Sequence, residues 1–117
     1  MPKTFQDFVA DAKTRIKEIN ADALNNMLND GEEFTLLDTR EESEYAAGYI
    51  GNAISIPRGV VELKVDAVQP DRNAKIVCYC GGGNRSALVA DVMQEMGYTN
   101  VVSLAGGWRN WVQQFGN

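Results

Sequence analysis

Residues 80–86, which read Cys-Gly-Gly-Gly-Asn-Arg-Ser, contain the side chains best suited to covalent chemistry. Glycine and asparagine tolerate positive φ at low cost, so this loop can turn its backbone N–H groups inward around an anion. The N-terminus of a following helix and the guanidinium of Arg85 would add positive charge at the same place. Such surroundings lower the pKa of a thiol. We therefore predict that Cys80 is a nucleophilic thiolate that solvent can reach.

The competing interpretation of this segment is an ordinary glycine-rich turn that happens to contain a cysteine. One glycine loop alone is weak evidence for a site.

The amino-acid composition excludes several kinds of catalytic site and metal site. The chain contains no histidine, which excludes Ser-His-Asp and Cys-His catalysis and histidine-ligated zinc. Its two cysteines, Cys78 and Cys80, are too few for a four-thiolate metal site. We predict no metal and no cofactor, and a buried structural role for Cys78.

The overall charge argues against two classes of partner. The chain of 117 residues has a formal net charge of −5, which repels phosphate backbones and anionic lipid surfaces, so we expect binding to neither nucleic acid nor membranes. No stretch approaches the apolar length of a membrane span, and residues 1–11 lack an apolar signal-peptide run. The free thiols indicate a reducing compartment, and a cytoplasmic protein is the expectation.

Short apolar segments bounded by turn residues predict the strands that position the loop: residues 35–37, 53–56, 75–79 and 101–103. Helical spacing and capping signals predict six helices: one with apolar residues from Phe5 to Ile19, one between Asn20 and Gly31, and residues 41–47, 60–68, 85–96 and 108–115. This alternation is typical of an α/β fold with a mainly parallel sheet and helices on both faces. Ligands of such sheets bind at the carboxyl ends of strands, where Cys80 lies.

The spacing Cys-x-x-Gly-x-Arg from Cys80 to Arg85 resembles the active loop of rhodanese-like domains, and Ser86 matches the small hydroxyl residue that follows it. Three other segments resemble motifs of the same family: Asp38-Thr39-Arg40 with Glu44 and Tyr45, Gly48-Tyr49-Ile50-Gly51-Asn52-Ala53 with Ile56-Pro57, and Gly106-Gly107-Trp108 with Trp111. Four motifs in the right order are far more specific than any one of them.

This resemblance implies a five-stranded parallel sheet and a single domain, residues 1–117, with a helical extension at 1–17 and a core at 18–117. It also implies a sulfurtransferase. Cys80 would accept a sulfane sulfur from a small anionic donor, either thiosulfate or a persulfide, and pass it to cyanide, a thiol or a protein acceptor. The loop amides would bind the outer sulfur, and the arginine would attract the donor. The binding residues implied are Gly81, Gly82, Gly83, Asn84, Arg85 and Ser86.

Three alternatives remain open. Phosphatases and arsenate reductases of similar fold have one more residue between cysteine and arginine than the four found here, which favours sulfur over a tetrahedral oxyanion. Arg85 is the only cation of the loop, which favours a persulfide donor over rapid thiosulfate turnover and leaves open a persulfide carrier with little turnover. The third alternative, a non-catalytic interaction domain, is disfavoured by the intact Cys80 and Arg85.

Residues outside the loop carry weaker signals. Asp38 and Arg40 are expected to organise a strand end through hydrogen bonds. The sequence leaves Arg58 open between the mouth of the site and free solvent, and Trp108 between pocket lining and rim packing. The first helix is left open between packing on the domain and binding a partner.

Overall fold

The computed structural model describes residues 2–116. Within that range the strands are β1 (Lys17–Ile19), β2 (Thr35–Asp38), β3 (Ile54–Ser55), β4 (Ile76–Tyr79) and β5 (Val101–Leu104). The helices are α1 (Phe5–Lys13), α2 (Ala21–Asn29), α3 (Glu42–Ala47), α4 (Val61–Val68), α5 (Asn84–Glu95) and α6 (Gly107–Phe115), and a 3-10 turn at Arg58–Val60 leads into α4. None of these helices is long and apolar enough to cross a bilayer.

All strand pairs of the sheet are parallel, in the order β1-β5-β4-β2-β3. β4 lies at the centre, where Cys78 pairs with Leu37 of β2 on one side and with Ser103 of β5 on the other. Parallel strands end at the same edge of a sheet, so the residues that follow β2, β4 and β5 come together there. The predicted α/β fold with a five-stranded parallel sheet is confirmed, and Cys80 follows its central strand.

Residues of the sheet alternate between two hydrophobic cores, one on each face. Val77 and Tyr79 of β4 pack with α2 and α6, whereas Ile76 and Cys78 pack with α4 and α5. Helices therefore cover both faces, which confirms the predicted arrangement. A strand that is buried on both faces reads as a continuous apolar run, and this is why the sequence marked β4 so clearly. Cys78 is fully buried, in agreement with a structural role.

The first helix is shorter than the sequence predicted. α1 ends at Lys13, and Lys17–Ile19 forms the edge strand β1, so Ile16 and Ile19 do not belong to the helix. A strand of three residues, two of them exposed, carries too little apolar pattern to be recognised by periodicity. The individual strand signals therefore gave four strands, and β1 was assigned wrongly to the helix.

α1 packs against α5, which supports the packing interpretation of this segment. Val9 and Ala12 are buried at that contact. Just beyond the helix, the guanidinium of Arg15 binds the carboxylate of Asp91 in α5 at 2.7 Å, and Gln94 donates to the carbonyl oxygen of Arg15 at 3.0 Å. These bonds hold Arg15 to α5 as the chain turns from α1 towards β1.

Candidate active site at the end of the central strand

The sulfur atom of Cys80 lies inside a ring of hydrogen-bond donors formed by the loop after β4. The N–H of Gly83 donates to Sγ at 3.2 Å and the N–H of Ser86 at 3.3 Å, while the Ser86 hydroxyl oxygen lies 3.5 Å away. Gly83 has φ 99°, a left-handed conformation that favours glycine, and it caps the start of α5. The inward-facing amides and the adjacent helix start that the sequence predicted are both present.

This ring controls the acidity of the thiol. Burial would by itself raise the pKa of Cys80. Hydrogen bonds from Ser86, and from the backbone N–H groups of Gly83 and Gly82, outweigh burial and hold that pKa below its ordinary value of 9.0. Cys78 differs, because burial raises its pKa and its Sγ lies 3.4 Å from the carbonyl oxygen of Ser86. Of the two thiols, only that of Cys80 is surrounded by groups that favour the thiolate.

A second buried hydroxyl supports the first. Ser86 Oγ lies 2.8 Å from Ser103 Oγ, and both side chains are fully buried. Once the thiol of Cys80 is ionised, Ser86 can accept from Ser103 and donate its own proton to the sulfur. Ser103 belongs to β5, next to the central strand. Ser103 was not expected at the site, although a serine inside the fully buried strand Val101–Leu104 indicates that a polar partner lies nearby.

The start of α6 fixes the orientation of the loop backbone. The N–H of Trp108 donates to the carbonyl oxygen of Cys80 at 2.8 Å, and the N–H of Arg109 donates to that of Gly81 at 3.0 Å. In a trans peptide the C=O and the following N–H point in opposite directions, so the N–H of Gly82 is turned away from α6 and faces Sγ. The Gly-Gly-Trp segment thus positions the loop, a role that the sequence did not reveal.

Arg85, the cation predicted for this site, is held beside the loop by Glu44. Its Nη1 lies 3.1 Å from Glu44 Oε1, and this ion pair lowers the pKa of Glu44. Its Nη2 lies 3.1 Å from the position that a Cβ would take at Gly81. Burial would lower the pKa of Arg85, but its partners Glu44 and Cys80 more than compensate and raise it. Arg85 therefore keeps a permanent positive charge at the loop.

A buried ion pair organises the neighbouring strand end, as the sequence predicted. Arg40 Nη2 lies 2.7 Å from Asp38 Oδ2, and both side chains are almost completely buried. The hydroxyl of Tyr79 donates to Asp38 at 2.8 Å, and Arg40 donates to the carbonyl oxygen of Gly48 at 2.7 Å. The guanidinium of Arg40 lies 4.5 Å from the ring centre of Trp108, which supports the packing interpretation of that tryptophan.

Arg58 does not contact the loop. Its guanidinium lies 5.8 Å from the ring centre of Phe5, and it lines a groove between α1 and α5 together with Phe8. Of the two interpretations left open for Arg58, the structure supports an exposed arginine away from the thiol. Within residues 2–116, no group of three His, Cys, Asp or Glu side chains is placed to hold a metal ion.

The structure brings residues 80–86 together but contradicts the expected accessibility of the thiol. Cys80 is only 1% exposed, because the loop closes around Sγ and the start of α6 lies against the loop. The other loop residues are buried or half-buried: Gly81, Gly82, Gly83, Asn84, Arg85 and Ser86. Solvent therefore hardly reaches the sulfur in this conformation.

Comparison with families of known proteins identifies the family to which this chain belongs. The model of the family described as "Rhodanese-like domain" matches residues 20–114. The chain belongs to the rhodanese-like domain family. This confirms the resemblance in sequence motifs, which spans the same part of the chain.

Two relatives of this rhodanese-like domain carry names from sulfur chemistry, whereas a third, the tRNA uridine(34) hydroxylase of Erwinia tasmaniensis, is 37% identical over 93 residues, covering 76% of this chain and 26% of that protein. The chain is 31% identical over 98 residues to a sulfurtransferase of Allochromatium vinosum, an alignment that covers 84% of this chain and 90% of that protein. It is also 31% identical over 96 residues to "Putative sulfur carrier protein YrkF" of Bacillus subtilis, covering 82% of this chain and 51% of the relative. The chain thus spans about half the length of the second relative.

A solved structure resembles this rhodanese-like domain along its whole length. The protein RPA3614 of Rhodopseudomonas palustris superposes with a TM-score of 0.89 at 27% identity, covering 100% of this chain and 98% of that one. RPA3614 is described as a protein of unknown function and a possible tyrosine phosphatase. The likeness includes the N-terminal helix, because the whole of this chain is covered.

The hydroxyl of Ser86 gives this rhodanese-like domain a testable pH dependence. A lowered pKa keeps the thiolate populated at lower pH, so the alkylation rate of Cys80 in the wild type should rise at a lower pH than that of a small free thiol. Ser86→Ala removes one hydrogen bond to the charged sulfur, and we expect about 10-fold slower alkylation at neutral pH. Iodoacetamide kinetics with mass spectrometry to locate the adduct would measure this.

Two comparisons check the cause of that effect. Ser103→Ala leaves Ser86 in place, so we expect a smaller decrease in rate. A pKa that is lower in the folded state stabilises the fold above the ordinary thiol pKa, and that contribution is lost as pH falls through the folded value. The difference in unfolding free energy between wild type and Cys80→Ser should therefore grow with pH. If the alkylation rates of wild type and Ser86→Ala showed the same dependence on pH, the Ser86 hydroxyl could not be what lowers the pKa of Cys80.

Proposed function

We propose that this protein is a sulfurtransferase that carries sulfur as a persulfide on Cys80. In the first half-reaction, the Cys80 thiolate attacks the outer sulfur of a donor such as thiosulfate; the S–S bond of the donor breaks, and sulfite leaves with the electron pair. In the second, an acceptor such as cyanide or a thiolate attacks the outer sulfur of the persulfide, and Cys80 leaves as the thiolate. Each step exchanges one sulfur bond for another, so no external oxidant or reductant is needed.

The observation that carries this proposal is the ring of donors around Sγ. The N–H groups of Gly83 and Ser86 lie 3.2 and 3.3 Å from Sγ, which is an anion before the first transfer and again after the second. No histidine is available to act as a base, and none is required when the thiolate is already favoured. The sulfurtransferase name of a relative that shares most of its length with this chain supports the same reaction.

A phosphatase or arsenate reductase is the weaker enzymatic alternative, although RPA3614 is described as a possible tyrosine phosphatase. Four residues separate Cys80 from Arg85, one fewer than in phosphatases of similar fold. The shorter ring favours a single sulfur atom over a tetrahedral oxyanion with four oxygens. We therefore favour sulfur as the transferred atom.

A persulfide carrier with little turnover is the second candidate, and one observation favours it. The thiol of Cys80 is 1% exposed, which would protect a persulfide from small thiols in solution. A relative bearing the name of a sulfur carrier supports this alternative. In that case a protein would be the acceptor, and its docking would open the site. The proposal also includes thiosulfate or a persulfide as the donor, cyanide, a thiol or a protein as the acceptor, and a cytoplasmic location.

The decisive experiment is intact-mass analysis after incubation with thiosulfate and, separately, with a small persulfide. We expect the mass to increase by one sulfur atom in wild type and in Cys78→Ser, because Cys78 is buried behind the loop. Cys80→Ser should gain none. If the adduct forms, steady-state turnover with cyanide separates the two candidates: rapid turnover supports the enzyme, and slow turnover with a stable adduct supports the carrier. Absence of any adduct on Cys80 would refute both.

A further inference from the structure

The open face of Gly82 is occupied by an arginine from another part of the chain. A Cβ added at Gly82 would overlap Nη2 of Arg109 and lie 3.2 Å from its Cζ. The same Nη2 lies 3.9 Å from the position of a Cβ at Gly81, where Nη2 of Arg85 lies at 3.1 Å. The guanidinium groups of Arg85 and Arg109 therefore both lie close to Gly81, although the two residues belong to different helices. The loop has a second cation that its own residues do not supply.

The two arginines differ in how their charges are balanced. Arg85 forms an ion pair with Glu44 at 3.1 Å, which neutralises part of its charge. Arg109 is exposed, and no carboxylate among residues 2–116 lies within ion-pair distance of it. An exposed cation without a carboxylate partner raises the local concentration of anions at the loop. Guanidinium groups bind oxyanions with two parallel N–H bonds, which gives orientation as well as attraction.

The position of Arg109 is set by the fold rather than by chance contact. Its backbone N–H donates to the carbonyl oxygen of Gly81 at 3.0 Å, so its side chain begins directly beside the loop. Gly82 is not among the glycines with positive φ, and its backbone conformation would therefore accept a side chain. The three atoms nearest to a Cβ at Gly82 all belong to Arg109. The glycine at this position provides space for the arginine.

The geometry points to Arg109 as the residue that binds the anionic end of the sulfur donor and selects for it, an inference that rests on the proposed transfer through Cys80. Arg109 approaches the loop from α6, and Arg85 approaches from α5. A sulfonate-bearing donor would bind between them, with its sulfane sulfur directed at Sγ.

Steady-state kinetics of Arg109→Ala test this selection. For thiosulfate we expect KM to rise about 10-fold with little change in kcat, because the lost bond is made in the bound donor throughout. For an alkyl persulfide, which has no sulfonate oxygens to accept two parallel N–H bonds from a guanidinium, KM should change far less. Arg72→Ala is the matched control, since it removes the same charge before β4, where Arg72 pairs with Asp66. Its kinetics should equal those of wild type.

A compensating substitution separates ligand binding from a structural role. In the Arg109→Ala background nothing would lie closer than 3.6 Å to a Cβ at Gly82, so Gly82→Lys can supply a cation from inside the loop. We expect the double variant to recover most of the lost affinity for thiosulfate. Gly82→Lys alone should bind thiosulfate less well than the double variant, because the new side chain competes with Arg109 for the same space. If the double variant folded normally but did not recover affinity for thiosulfate, the inference that Arg109 binds the donor would be overturned.

Binding can also be measured without sulfur transfer. Cys80→Ser keeps the amide ring but cannot form a persulfide, and thiosulfate can be titrated into it while backbone amide signals are followed by NMR. We expect saturable shifts in the loop that weaken about 10-fold in Cys80→Ser/Arg109→Ala. Equal titrations of the two variants, or no binding by either, would overturn the role of Arg109. A wild-type protein that binds thiosulfate but takes up no sulfur would instead refute the proposed function.

Discussion

Gly107→Ala should lower the unfolding free energy by about 4 kcal/mol or more and abolish sulfur loading of any folded fraction. Gly107 has φ 56°, a left-handed conformation that costs other residues about 1–2 kcal/mol. A Cβ at this position would also overlap the carbonyl oxygen of Cys80 and lie 2.9 Å from the carbonyl carbon of Gly81. These are backbone atoms, so they can move only if the loop moves with them.

The movement would break the bonds that orient the loop. The carbonyl oxygens of Cys80 and Gly81 accept from the first turn of α6, and this contact turns the next N–H groups towards the sulfur. Displacing α6 would therefore remove donors from Sγ and raise the pKa of Cys80 towards its ordinary value. Denaturant unfolding measures the loss of stability, and intact mass with a sulfane donor measures the loss of loading.

Gly31→Ala is the matched control for that prediction. Gly31 has φ 67°, close to that of Gly107, but nothing lies within 4 Å of a Cβ added there. It should therefore lose only the conformational cost, about 1–2 kcal/mol, and load sulfur normally. If Gly107→Ala were no more destabilised than Gly31→Ala, the contact between α6 and the loop could not be what holds the loop in shape.

The features that could be predicted from the sequence are those set by residues close together in the chain. Residues 80–86 contain the thiol, the glycines and the arginine in one short stretch, so their combined chemistry could be predicted before any fold was known. The strands β2, β4 and β5 were recognisable because burial gives apolar runs. The edge strand Lys17–Ile19 has no apolar run that could mark it. Its pairing with β5 depends on residues more than 80 positions away in sequence.

The missed parts of the site depend on tertiary contacts. Ser103 reaches Ser86 only because β5 lies beside β4, and Arg109 reaches Gly82 only because α6 begins on the loop. The expectation that Arg85 is the only cation among the loop residues is correct, but α6 brings Arg109 to the loop as a second cation. The burial of Cys80 could not be predicted either, since it results from how α6 closes on the loop.

The second large effect concerns the buried ion pair beside the site. Arg40→Met should lower the unfolding free energy by about 3–5 kcal/mol, because it leaves the carboxylate of Asp38 buried without its cation. The same change removes the bond to the carbonyl oxygen of Gly48 and the contact with Trp108. Since the N–H of Trp108 holds the carbonyl oxygen of Cys80, we also expect slower sulfur loading. Denaturant unfolding and intact mass measure the two effects.

Arg72→Met isolates the contribution of burial. Arg72 also forms an ion pair at 2.7 Å, with Asp66, and its guanidinium lies 4.4 Å from the ring centre of Tyr98, much as Arg40 lies over Trp108. Both arginines combine an ion pair with an aromatic contact, but they differ in exposure, which is 39% for Arg72 and 3% for Arg40, and in the bond from Arg40 to the carbonyl oxygen of Gly48. Because water can solvate the exposed pair, Arg72→Met should cost far less than Arg40→Met.

Replacing both members of the buried pair completes the test. Asp38→Asn/Arg40→Met removes both charges, keeps an amide oxygen for the hydroxyl of Tyr79, and leaves no uncompensated carboxylate. Its loss of stability should therefore be smaller than the sum of the two single losses. Additive losses would mean that Arg40 acts through packing on Trp108 and not by neutralising Asp38. The cycle therefore separates electrostatic support of the site from mechanical support at the same side chain.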